Sequence, residues 1–139
     1  MRLAVTKNTQ RFLSGTVLIM ALICSAAVGD DHADDKIETE VRHLLDFVGS
    51  SNCMFVRNGA EYGAEEARRH LKMKYGYVRR RLHSTEEFID KVATQSSLSG
   101  TQYEVRCGDA VKPSKQWLIH ELRNYRRHRP PGDDQSNDV

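Results

Sequence analysis

The sequence predicts an α+β domain in which a small antiparallel sheet, a hairpin plus a third strand, is covered by about four helices and closed by one disulfide. Three observations carry this. Segments with helical spacing of apolar residues alternate with short runs of β-branched and aromatic residues. Asn58-Gly59 sits between two such short runs, the commonest signal for a tight hairpin. Cys53 and Cys107 are the two cysteines left once an apparent export signal is removed. The chain has 139 residues, 39% hydrophobic and 29% charged, which is one domain's worth of ordinary globular composition and excludes a fibre or a wholly disordered chain.

Taken in order, residues 1–27 read as a secretory signal. Arg2, Lys7 and Arg11 precede an apolar run from Phe12 to Ile23, and the small residues Ser25, Ala26 and Ala27 follow. The run is about a dozen residues long, short of the roughly 20 that span a bilayer, so no stable membrane span is expected after cleavage. Residues 28–36 form an acidic leader expected to be disordered. Of the 21 basic residues, three leave with the signal, so 18 stand against 19 acidic in the mature chain. Near neutrality and export both argue against a nucleic-acid partner, whose binding rests on surplus Lys and Arg.

The domain is expected over residues 37–127. Ile37, Val41, Leu44, Leu45 and Val48 space a first helix that stops near Gly49. Cys53 to Arg57 is a strand, and Tyr62 lies on the strand returning from Asn58-Gly59. Ala67, Leu71, Tyr75, Val78 and Leu82 form one stripe of a long second helix, opposite Arg68, Arg69, Lys72, Arg79 and Arg80. Ser84 and Glu87 form a capping box ahead of a third helix with Phe88, Ile89 and Val92 inward. Tyr103 and Val105 alternate with polar residues towards Cys107, giving the third strand. Pro113-Ser114 opens a last helix carrying Trp117, Leu118, Leu122 and Tyr125. Residues 128–139 form a polar tail expected to be disordered. In an oxidising compartment the two cysteines pair, closing a 54-residue separation that is worth roughly 4 kcal/mol in the chain-entropy account.

An ordered string of residues runs through these elements: Phe55-x-Arg57-Asn58-Gly59, Tyr62, Glu66-Ala67-x-x-His70-Leu71-x-x-Lys74, Phe88-Ile89, Ser96-Ser97-x-Ser99-Gly100-x-x-Tyr103-x-Val105 and Trp117-Leu118. It resembles the YfeK-like family of small exported bacterial proteins, a domain of unknown function. The resemblance implies a periplasmic or secreted location, agrees with the Cys53 and Cys107 pair, and supplies no catalytic residue.

No glycine-rich phosphate loop, metalloprotease helix, nucleophile elbow or calcium loop is present, and the sequence calls for no cofactor. The candidate binding surface is the stripe Glu66, His70 and Lys74, spaced four apart on the second helix, together with Arg57, Asn58, Ser97 and Ser99. The leading expectation is a non-enzymatic binding module of the cell envelope, whose partner is a protein or an anionic glycan or lipid. The competing one is a small hydrolase or transferase in which His70 activates a Ser97 or Ser99 hydroxyl, which requires the ring within hydrogen-bond reach of a serine. The basic face of Arg79, Arg80 and Arg81 with Arg68, Arg69 and Lys72 offers a second site for an anionic partner. One metal site depends on processing: if the mature chain begins at Asp30, His32 stands third and completes a four-nitrogen set suited to Cu(II) or Ni(II).

Overall fold

A computed structural model of the chain describes residues 31–129. The expected signal and its expected cleavage site, including Cys24, and the tail from residue 130 lie outside the described residues, as does the side chain of His32. Helix α1 spans Asp31–Ser50. It therefore takes in residues 31–36, where the composition suggested a disordered leader. Acidic residues such as Asp34 and Asp35 near the amino end complement the helix dipole and extend it beyond its apolar face. That face buries Ile37, Val41, Leu44, Leu45 and Val48, each worth about 1.5–3 kcal/mol on the transfer scale.

Strands β1 (Met54–Arg57) and β2 (Ala60–Tyr62) form the hairpin, turning through Asn58 at φ 52° and Gly59 at φ 79°. Two successive positive φ values define the turn whose twist matches the strands, and Asn-Gly tolerates them best. Helix α2 (Ala64–Val78) follows, with Glu65 and Glu66 in its first turn, and ends in a short 3₁₀ turn at Arg79–Arg81. Ser84 caps α3 (Thr85–Phe88): its hydroxyl accepts from the Glu87 amide at 3.1 Å, while the Glu87 carboxylate accepts from the His83 amide at 3.1 Å. The helix continues as a π-helical turn, Ile89–Ala93, whose Ile89, Val92 and Ala93 are buried.

Strand β3 (Glu104–Cys107) pairs antiparallel with β1, and β4 (Ala110–Pro113) pairs antiparallel with β3 before α4 (Ser114–His128). The sheet order is β2-β1-β3-β4, so the expected hairpin plus third strand gains a fourth. Its turn is Gly108-Asp109, with Gly108 at φ 59°. The disulfide joins Cys53, just before β1, to Cys107 at the end of β3, with Cα atoms 4.5 Å apart.

Register decides which side chains face the helices. Phe55 lies opposite Tyr62 on one side and Val105 on the other, and directly paired residues share a face, as do residues two apart on a strand. Phe55, Arg57, Tyr62, Tyr103 and Val105 therefore point to the same side, beneath α2. Met54, Glu61, Glu104, Arg106 and Val111 occupy the exposed opposite face. Phe55 and Val105 belong to the core with Leu71, Leu118 and Leu122. A buried carboxylate ties the helices together: Glu40, 1% exposed, accepts from Thr85 and from the Nε and Nη2 of Arg126, which also bonds Glu86.

Candidate functional site

Where α2 crosses the hairpin the packing is incomplete, leaving a cavity of about 310 Å³. It is lined mainly by Phe55, Ala67, Leu71, Met73, Tyr62 and Tyr103, with Arg57, Glu66, Arg69 and His70 supplying the charged and polar groups. The cause lies in the sequence. Glu66, His70 and Met73 flank the apolar Ala67–Leu71 seam of α2, and the facing strand offers an arginine at position 57 where a core residue would have closed the gap.

Arg57 Nη1 lies 2.7 Å from His70 Nδ1, and its guanidinium lies 4.5 Å from the centroid of the Tyr62 ring. A guanidinium only donates, so Nδ1 accepts and the imidazole proton sits on Nε2. That second nitrogen is sealed from solvent without a protein hydrogen-bond partner, and the ring stands edge-on to Tyr103 at 6.3 Å. Burial first, then the charges of Arg57 and Lys74, lower the His70 pKa, so the ring is neutral at pH 7.

The structure divides the expected surface in two. Arg57, Glu66 and His70 meet at the cavity. Lys74, one turn further along the stripe, turns away: Nζ donates to the carbonyls of Val92 at 2.6 Å and Gln95 at 3.1 Å and approaches the Tyr103 hydroxyl at 3.4 Å. It caps the carbonyls at the end of the π-helical turn, a structural task. Burial, followed by the Arg57 charge, lowers its pKa as well.

The serine turn also serves the fold. Ser99 Oγ donates to Asn58 Oδ1 at 2.7 Å and lies 3.0 Å from Thr101 Oγ1, stapling this turn to the hairpin. Ser97 is exposed. No serine hydroxyl bonds the His70 ring among the described residues, so the nucleophile and base pair required for a serine hydrolase is not assembled here. On the basic face Arg68 is neutralised by Glu65 and Asp46, whereas among the described residues Arg81 donates only to the Tyr77 carbonyl and keeps its charge. No cluster of three or more His, Cys, Asp or Glu side chains capable of holding a metal occurs among the described residues.

Tyr62, Met73 and Tyr103 are cavity residues that the sequence does not single out as site residues, and Arg69, expected on the basic face, lines the cavity as well. For Tyr62 and Tyr103 a signal existed: Tyr62 pairs directly with Phe55 across the hairpin, and Tyr103 lies two residues before Val105, on the side facing α2.

Residues 35–126 match the profile of a family of unknown function, DUF5329. The chain is similar to a protein of Salmonella typhimurium described as Uncharacterized protein YfeK, 43% identical over 94 residues that cover 68% of this chain and 76% of the relative. No solved structure matches it.

Proposed function

The chain belongs to the DUF5329 family of unknown function, and we propose that it is an exported, non-enzymatic binding module of the cell envelope that takes a small, largely apolar molecule between α2 and the sheet. The observation that carries this reading is the cavity itself. Its volume of about 310 Å³ falls at the lower end of the range for small-molecule sites, and its make-up, apolar and aromatic walls with a few convergent polar groups, is typical of them. A folded domain this small gains by closing such a gap, since a void forfeits dispersion contacts and each lost methylene weakens the core.

The location is read from the basic, apolar and small-residue order of residues 1–27, and it is consistent with the disulfide. Among the described residues no helix is long and apolar enough to cross a membrane. A Ser–His hydrolase finds no support in the site, because Arg57 occupies the ring nitrogen a base would use.

The test is a titration with N-phenyl-1-naphthylamine, a neutral apolar fluorophore, on the folded mature protein. The expected result is saturable one-to-one binding that weakens at least fivefold in Ala67→Phe or Met73→Trp. The second variant fills the mouth from a half-exposed position and so leaves the core intact. Absence of saturable binding, or binding unchanged in both folded variants, overturns the reading.

A further inference from the structure

We infer that the molecule held in this cavity carries a carboxylate, and that Arg57 is the group that recognises it; the inference rests on the cavity being a binding site. Three arginines of this domain have acids as partners: Arg68 bonds Glu65 and Asp46, Arg106 bonds Glu61, and Arg126 bonds Glu40 and Glu86. Arg57 is half-buried, has no carboxylate partner among the described residues, and has a neutral imidazole as its one hydrogen-bonded acceptor. A guanidinium has five N–H donors in a rigid fork, and one bond to His70 leaves most of that fork free of protein partners among the described residues and open to solvent or a ligand.

The partner choice is informative. A neutral acceptor orients the guanidinium without cancelling its charge, whereas a carboxylate in the place of His70 would have done both. The face of Tyr62, 4.5 Å from the guanidinium, holds it as well. What remains is an oriented cation at an apolar cavity, the arrangement in which a charge-assisted, two-pronged hydrogen bond to a carboxylate is strongest.

The charge balance sets the valence. Among the side chains lining the cavity, Arg57 and Arg69 are cationic and Glu66 is anionic, leaving one surplus positive charge. That suits a monoanion with an apolar body better than a dianionic phosphate ester. Glu66 and Arg69 are both exposed and lie at the rim, so they modulate the site while Arg57 holds the head group.

The experiment is displacement of bound N-phenyl-1-naphthylamine at pH 7.5 by octanoate, by octanol and by n-octyl phosphate. An apolar cavity without head-group recognition prefers the alcohol, because the carboxylate must lose hydration to enter. The expected result is the reverse: octanoate displaces the fluorophore at about tenfold lower concentration than octanol. Arg57→Met removes that preference while fluorophore binding survives. His70→Glu also removes it by neutralising Arg57 internally, His70→Gln keeps it, and Glu66→Gln increases octanoate affinity two- to threefold.

Octanol equal to or better than octanoate overturns the carboxylate and leaves the cavity reading standing. Octyl phosphate tighter than octanoate overturns the monoanion, and a preference that persists in folded Arg57→Met overturns the role of Arg57. A protein that never binds the fluorophore fails at the earlier step, so the two failures are distinguishable.

Discussion

At the scale of single residues, His70 ties stability to pH. Its pKa is lowered in the folded state by burial and by the Arg57 and Lys74 cations facing it, with the Tyr103 ring edge-on and Glu66 one turn away. The unfolded chain then binds the proton first. Stability is complete above about pH 6.5 and declines as the pH falls below that value, levelling once the folded ring is protonated. Thermal melts between pH 8 and 5 are expected to show this decline, and His70→Gln to flatten it; an unchanged slope in the variant contradicts the assignment. A separate window opens lower. Burial alone would raise the Glu40 carboxyl, but bonds from Arg126 and Thr85 outweigh it and hold the pKa below its usual 4.5, while Arg126 lowers Glu86 as well. Stability from these acids is present above about pH 4.5 and is lost as the pH falls through their folded values. Arg126→Met strands the buried Glu40 carboxylate, and because Arg126 is 36% exposed the expected cost is about 2 kcal/mol, below the figure for a fully buried pair; denaturant melts read it directly. The i,i+4 stripe Glu66, His70 and Lys74 was legible from spacing alone. Which members face a cavity was not, because the bonds that decide it, His70 to Arg57 and Lys74 to the carbonyls of Val92 and Gln95, span 13 to 21 residues of sequence.

At the scale of elements, the sequence reads best where the local signal and the tertiary role agree. The apolar face of α1, the Asn58-Gly59 turn and the Ser84 cap all lie where the pattern put them. The strand β4 escaped it, since Ala110–Pro113 is exposed at every position and has no alternation to detect; only the Gly108-Asp109 turn marked it. The start of α1 escaped for a related reason: residues 33–36 are exposed and mostly charged, with no apolar spacing to mark a buried face. Two glycines give opposite expectations. Gly76 lies within α2, and a methyl group on its Cα would project into open space, so Gly76→Ala stabilises by about 0.5–1 kcal/mol. Gly108 holds φ 59° at the β3–β4 turn, so Gly108→Ala destabilises by about 1 kcal/mol despite equal room. Chemical denaturation of both variants checks the pair, and the same sign for both contradicts it. The disulfide clamps β1 to β3, the central pair of the sheet. Reduction, or Cys53→Ala with Cys107→Ala, is expected to lower stability by roughly 4 kcal/mol, as the loop-entropy account gives for a separation of 54 residues.

At the scale of the whole molecule, the described residues leave the larger and more apolar of two gaps between α2 and the sheet, the other lying between α1 and the end of α2. The helices α1, α3 and α4 are tied through Glu40, Thr85, Arg126 and Glu86, the disulfide ties the start of β1 to the end of β3, and the gap lies between α2 and this framework. Composition and spacing reached the fold class and the helix bearing the site. The cavity itself depends on how α2 lies across the register of β1 and β2, which is a product of packing. Methionine methyl resonances can report on its occupancy, because Met73 lines the cavity while Met54 lies on the opposite face of the sheet. On titration of the ¹³C-methyl-labelled protein with octanoate, a ligand held by Arg57 under α2 gives a saturable shift of the Met73 methyl with Met54 unmoved, and that shift is lost in Arg57→Met. Shifts of equal size at both methyls, or a Met73 methyl that never moves, would contradict it.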